Sequence, residues 1–369
     1  MRVPILDLSE QYLQLKNDIL ASIESVMENT HFILGANVRQ LEQEVAAYSN
    51  VSHGIGVANG SDALHLSLLA CGIEPGDEVI TTAFSFFSTA GAIARVGAIP
   101  VFVDIDPKTY NLDHTKVEAA ITKKTKAIIP VHLYGQVANM TEIGRIAEAY
   151  QLHIVEDAAQ AIGAEHQGKK VGEFGAAACY SFFPTKNLGA YGDAGMVVTN
   201  NDNIAEKIRI LRVHGSKPKY HHHVLGYNSR LDEMQAAILN VKFKYLDQWN
   251  EQRGQKAATY NRLFADNLQE HVVTPYVEEG NNHIYHQYTI RVDRRDELQL
   301  FLKENGVDTM VYYPRPLHLQ PALAYLGYNK GDLFETERAC EQAMSLPMFP
   351  ELKEEQQVYV VDKIKEFFL

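Results

Sequence analysis

An acid, a serine and a lysine fall within one short stretch between His153 and Thr199. The apolar run His153 to Glu156 ends in Asp157, and Gln160 follows three residues later. A polar, glycine-rich connection leads to a second apolar run, AACYSFF, which contains Ser181. Pro184, Thr185 and Lys186 come next, then the turn-rich GAYGDAG and a third apolar run, MVVT. One carboxylate and one amine thus stand just past the ends of two buried strands, where open α/β sheets commonly carry their active groups.

That set suits pyridoxal phosphate. The cofactor needs an amine for its aldehyde, which Lys186 would supply. It needs an acid at its pyridine nitrogen, which Asp157 would supply, so that the ring can take electrons from a substrate carbanion. Gln160 could reach the phenolic oxygen and Ser181 the phosphate. Each residue also has an ordinary use: aspartate is a favoured helix cap, and lysine is usually a surface residue. Neither decides alone; together at strand ends they form a specific signal.

The elements that must position these groups can be read in order. Residues 10–29 and 38–49 have helical periodicity. Seven apolar or β-branched runs follow, at 54–58, 78–82, 100–104, 127–132, 153–156, 178–183 and 196–199. Helical stretches separate most of them, at 62–71, 88–96, 113–121, 141–150 and 203–213. This alternation predicts an α/β fold, a largely parallel sheet with helices on both faces. From Leu231 to about Asn267 the pattern is helical. Beyond it, 286–292 and 309–314 read as strands, and 296–306, 333–345 and 354–368 as helices. The tail reads as a small C-terminal α+β domain. The boundary falls near 245–255, dividing the chain into 1–250 and 251–369, with residues 1–30 able to pack on the smaller part.

Other motifs lie at predicted strand ends. Asn59-Gly60-Ser61-Asp62 opens a helix, where free N–H groups bind phosphate and Gly60 admits close approach; capping by Ser61 or Asp62 reads equally well. Ala83 to Ser88 holds three phenylalanines, each suited to the core or to a cavity wall. His132 either borders the site or is a satisfied polar residue at a strand end. His221, His222 and His223 are adjacent, so they point in different directions, and no Cys or His pair lies nearby; no metal site is expected. The net charge of −12 argues against nucleic acid, and no apolar run is long enough to span a membrane. The N-terminus lacks a secretory apolar core. Cys71, Cys179 and Cys340 are far apart, as in a reduced, cytoplasmic protein.

VEDAAQAIGA followed by SFFPTKNLGAYGDAGMV resembles the DegT/DnrJ family of pyridoxal phosphate-dependent sugar aminotransferases. The resemblance runs through VPILDL, VANGSDALHLSL, VHLYGQ, GYNSRLDEMQAAIL and YYPRPLHLQPA, nearly the whole chain. It implies pyridoxal phosphate fold type I, with a mainly parallel seven-stranded sheet and the small C-terminal domain. It implies that Gly60 and Ser61 bind the cofactor phosphate and that Phe86 stacks on its ring. It also implies a homodimer, in which Asn228 reaches across to the phosphate in the other subunit. Tyr220, His222, Tyr313 and His318 become candidate substrate contacts. The implied reaction moves an amino group from L-glutamate to a keto-sugar nucleotide, with Lys186 as anchor and as acid and base. The run Lys219 to Leu239 looks most like enzymes that make dTDP-3-amino-3,6-dideoxyhexoses from dTDP-3-keto-6-deoxyhexoses. The alternative substrates are 4-keto UDP- or dTDP-sugars. Two other classes stay open: a lyase or dehydratase of the same family, which would carry histidine in place of Lys186, and a non-catalytic regulator.

Overall fold

Each of the seven apolar runs becomes a strand of a single sheet. The computed structural model describes residues 1–265 and 268–368. The strands are β1 (His53–Val57), β2 (Glu78–Thr82), β3 (Ile99–Val103), β4 (Thr125–Ile129), β5 (His153–Asp157), β6 (Ala177–Ser181) and β7 (Gly195–Thr199). Their order across the sheet is β1-β7-β6-β5-β4-β2-β3. Only β7 runs against its neighbours, pairing antiparallel with both β1 and β6. The mainly parallel seven-stranded sheet is therefore as expected.

Alternation along the strands explains why both faces are covered. Ile80, Ile128, Ile154, Ala178 and Val198 point to one face. There they pack on α2 (Ala36–Tyr48), α5 (Met140–Tyr150) and α7 (Glu233–Phe243). Val79, Ala127, Val155, Cys179 and Val197 point to the other face. They meet α3 (Gly60–Ala70), α4 (Ser88–Arg95) and α6 (Asp202–Leu211). Each fully buried Val, Leu or Ile contributes about 1.5–3 kcal/mol, so neither face tolerates a one-residue slip in register. In this arrangement Asn59, Phe84, Asp157 and Ser181 all leave the sheet on the edge formed by the carboxyl ends of the parallel strands.

A second core lies further along the chain. A three-stranded sheet joins Val272–Val273, Tyr288–Val292 and Ala343–Leu346. It packs with α8 (Leu246–Ala265), α9 (Arg295–Glu304) and α10 (Glu354–Phe368) around Tyr260, Tyr288, Leu298 and Ile364. Val3 belongs to this core and pairs with Val307. The helix α1 (Ser9–Asn29) instead packs Leu15 and Ile19 against Ile238 and Trp249.

Four expected elements differ. Residues 113–121 form only two short 3-10 turns, His114–Lys116 and Glu118–Ala120; nine residues are too few to carry a helix without strong packing. The helical stretch from Leu231 breaks between Phe243 and Leu246, giving α7 and α8; its expected end near Asn267 lies outside the described residues. Residues 309–314 make one bridge, Met310 to Ser345, rather than a strand; beyond it Tyr312 and Tyr313 turn to the cavity, and the Tyr312 carbonyl accepts from the Tyr134 hydroxyl instead of a neighbouring strand. The helix expected at 333–345 stops at Gln342, and Ala343–Leu346 becomes a strand paired with Tyr288–Arg291.

Candidate active site

The sheet edge opens into a cavity of about 810 Å³, within the size range of small-molecule sites. Gly60, Ser61, Phe86, Asp157, Gln160, Ser181, Lys186 and Tyr313 all line it. Residues from five separate parts of the chain are thus brought together by the ends of the strands.

Asp157 is the last residue of β5 and is buried. Thr89 in α4 donates its hydroxyl to Asp157 Oδ2 at 2.7 Å, and Ala159 N–H donates to Oδ1 at 3.3 Å. Burial raises its pKa above the ordinary carboxylate range, against these donors and the nearby Lys186. Such a carboxylate is suited to one more positive partner. Lys186 sits on a tight turn closed by Lys186 N–H to Phe183 O and Ala190 N–H to Phe182 O, both 2.8 Å. Gly189 is required there, since a Cβ would lie 2.3 Å from the Pro184 carbonyl oxygen. Burial pushes the Lys186 amine down to about 8, with Asp157 opposing the shift. A larger share of neutral amine is therefore present near neutrality, as a nucleophilic lysine needs.

The other end of the cavity can take an anion. Asn59, not Ser61 or Asp62, caps α3, accepting from Asp62 N–H at 2.9 Å. The first-turn N–H groups of Gly60 and Ser61 are left for an outside acceptor. A Cβ on Gly60 would stand 2.7 Å from Ser181 Cβ, so glycine lets the helix start meet β6 closely. The Ser61 and Ser88 hydroxyls are 2.5 Å apart beside it. Between the two ends, Phe86 is exposed into the opening, its ring centroid 6.2 Å from that of Tyr313. Gln160 accepts from Tyr134 N–H at 2.7 Å and donates to Tyr313 Oη at 3.1 Å. A flat, anionic aldehyde with a basic ring nitrogen fits this donor set: anion cradle, aromatic wall, buried carboxylate and low-pKa amine.

Four expected site residues lie outside this cavity. Asn228 is exposed, and its Oδ1 accepts from Arg230 at 2.6 Å. Tyr220 and His222 are exposed in the same loop, and His222 Nδ1 is 2.8 Å from the His214 carbonyl oxygen. His318 is buried away from the cavity, with Nε2 3.2 Å from Glu337 Oε1. His132 also resolves as a satisfied core residue. Its Nε2 meets Glu156 at 3.1 Å, and its Nδ1 accepts from Ala138 N–H at 3.2 Å.

Several lining residues escaped the sequence reading: Ser88, Arg95, Asp193, His286, Gln287 and Tyr312. Ser88 was within reach, as a helix-start serine after a strand end. In the sequence His286 and Gln287 mark only the start of an expected strand; in the structure that strand begins at Tyr288.

The DegT/DnrJ/EryC1/StrS aminotransferase family matches residues 13–365. A "pleiotropic regulatory protein" of Geobacillus stearothermophilus is 66% identical, covering 100% of this chain and 99% of its own length. A UDP-N-acetyl-3-dehydro-alpha-D-glucosamine 3-aminotransferase of Acidithiobacillus ferrooxidans is 47% identical, covering 96% and 95%. The fold matches S. venezuelae DesV, solved with a ketimine intermediate, at a TM-score of 0.96 and 42% identity, over 99% and 98% of the two chains. With these matches and this cavity, the chain belongs to the DegT/DnrJ/EryC1/StrS aminotransferase family, whose cofactor is pyridoxal phosphate.

Proposed function

We propose that this protein transfers the amino group of L-glutamate to C3 of a nucleotide-linked 3-keto sugar. The observation that carries the reading is the pairing of Lys186 and Asp157 in one cavity at the strand ends. When bound, pyridoxal phosphate supplies an electron sink for the carbon that loses its proton. Lys186 anchors the cofactor, then holds that proton on Nζ and returns it on the other side of the exchange. Asp157 offsets positive charge on the ring nitrogen. Gly60, Ser61 and Ser181 would hold the phosphate, Gln160 the phenolic oxygen, and Phe86 would cover one face of the flat ring and exclude water from it. Tyr313, bonded to Gln160, borders the substrate.

Amination at C3 is supported by relatives named for it on both UDP- and dTDP-linked sugars. The resemblance of Lys219 to Leu239 supports a dTDP-linked 6-deoxyhexose as the acceptor. The rival is a UDP-linked 2-acetamido sugar. Kinetics with glutamate and each 3-keto sugar, beside dTDP- and UDP-linked 4-keto sugars, test this. The expected result is the highest kcat/KM for the dTDP-linked 3-keto sugar, with nitrogen found at C3 by NMR. Preferred turnover of a 4-keto sugar would reject the C3 assignment, and preference for the UDP-sugar would reject the base.

The regulatory name of the Geobacillus stearothermophilus relative favours a second reading, a protein that keeps the fold without turnover. Intact Lys186 and Asp157 weigh against it. Borohydride reduction should fix the cofactor covalently to Lys186, and the Lys186→Ala protein should lose both the link and the production of 2-oxoglutarate. Cofactor binding without any amino transfer to a sugar would favour the regulator.

A further inference from the structure

Asn187, the residue after Lys186, is tied to the segment 284–287 by contacts that the transfer reaction above does not use. Its side-chain NH2 donates to Asn250 Oδ1 at 2.7 Å and to the Ile284 carbonyl at 3.4 Å. The NH2 of Asn250 is itself committed to the Ile162 carbonyl at 3.1 Å. The orientation of both amides follows from these acceptors. Asn187 Oδ1 is therefore the atom that meets His286 Nδ1, at 3.0 Å, and His286 must donate. That fixes the tautomer with the proton on Nδ1.

The surroundings hold this donor in place. His286 is buried and lines the cavity that Lys186 lines. Burial, then the charges of Lys186 and Arg253, keep its pKa well below the ordinary range, so the ring stays neutral. Arg253 donates to the carbonyls of Tyr285 at 3.2 Å, His286 at 3.3 Å and Met348 at 3.0 Å. On the other side of the turn, Lys242 donates to the Gly189 carbonyl. The turn that carries Lys186 is thus fastened to α7 through Lys242, to α8 through the Asn187–Asn250 bond, and to 284–287 through the Asn187 bonds to Ile284 and His286.

We propose that His286 is a positioning residue for Lys186: its Nδ1–H bond to Asn187 sets the turn, and so the direction from which the amine meets the reacting carbon. This rests on the role given to Lys186 above. A misplacement of about 1 Å can cost on the order of 100-fold in rate, so one hydrogen bond on the neighbouring residue is enough to matter. Asparagine in place of histidine can present an N–H near the position of Nδ1, whereas phenylalanine cannot.

The test uses His286→Phe, His286→Asn, Asn187→Ala and the His286→Phe/Asn187→Ala double variant. Single-turnover rates at saturating glutamate should fall roughly 10- to 100-fold in His286→Phe and Asn187→Ala, with KM for glutamate within about threefold. His286→Asn should recover most of the rate. The double variant should be no slower than Asn187→Ala, because the bond lost in His286→Phe is already lost there, together with the Asn187 bonds to Asn250 and Ile284. In the cofactor-free protein, amide exchange across 183–191 should quicken in His286→Phe and Asn187→Ala but not in His286→Asn. That reading does not require Lys186 to hold the cofactor; failure of the Lys186 role would appear instead as no borohydride-fixed link in the unaltered protein. A wild-type rate in His286→Phe, or multiplied losses in the double variant, would overturn the proposal. So would equal losses in His286→Asn and His286→Phe. Should His286→Phe not fold, a wild-type rate in Asn187→Ala overturns it on its own.

Discussion

Asp157 and Lys186 are shifted in opposite directions by the same cause. Burial disfavours charge on each, raising the acid and lowering the amine, while each opposes the shift of the other. For Lys186 the sign is direct. The neutral amine is the nucleophile, so a pKa lowered to about 8 moves the rise in its reactivity down from the usual lysine range. The rate at which cofactor-free protein captures pyridoxal phosphate should climb to about pH 8 and then level off; a rise that continues to pH 10 would show an ordinary lysine. Asp157→Asn removes the buried charge assigned above to the ring nitrogen in the proposed mechanism; on that proposal turnover should fall on the order of 1000-fold, the scale of a preorganised electrostatic partner. Thr89→Val removes the hydroxyl donor to Asp157 and, with it, the acceptor of the Ser85 hydroxyl at 2.8 Å. A hydrogen bond to a charged group is worth about 1.5–3 kcal/mol, so its loss should be nearer ten- to hundredfold, measured as kcat/KM. These two residues were legible in the sequence because each stands at the end of an apolar run. His286 and Arg95 were not, since nothing local marks a residue that reaches the cavity from a distant segment.

At the scale of elements, periodicity found the sheet because buried parallel strands leave continuous apolar runs, and the helices between them keep an apolar stripe. It failed where stability came from elsewhere. Ala343–Leu346 reads as the end of a helix, yet its partners Tyr288–Arg291 and Met310 make it a strand. The motif GYNSRLDEM hides a second long-range contact. Glu233, buried at the start of α7, accepts from Gly35 N–H at 2.8 Å, Asn37 N–H at 2.5 Å and Val38 N–H at 3.2 Å. It caps α2 from 195 to 198 residues away, a role that no local pattern records. Favourable placement at a helix N-terminus and three charge-assisted bonds both depend on the carboxylate. Glu233→Gln keeps the volume and turns one acceptor into a donor facing N–H groups. It should lower stability by about 2–3 kcal/mol, seen as an earlier urea midpoint, while the folded fraction keeps its turnover. An unchanged midpoint would mean that α2 is capped in another way.

At the scale of the whole molecule, Asn228, matched by resemblance to a cofactor-phosphate ligand, is exposed and outside the cavity of its own chain. Its loop also exposes Tyr220, Val224, Leu225 and Tyr227, with Leu225 at 96%. Apolar groups clustered at a surface in this way favour cover by another protein surface. A two-fold contact would bring the same loop to both sites, so each site would combine Lys186 of one subunit with Asn228 of the other. The consequence is quantitative. Lys186→Ala and Asn228→Ala proteins should each be nearly inactive. Mixed in equal amounts and allowed to exchange, about half of the dimers become mixed, and each mixed dimer holds one intact site and one with both changes. About a quarter of wild-type activity should then return. If Asn228 served its own chain, every site in the mixture would carry one lesion and nothing would return. Subunit exchange is followed independently by native mass spectrometry with one protein isotopically labelled, so exchange without recovery would place Asn228 outside the partner's site and leave its loop to some other surface.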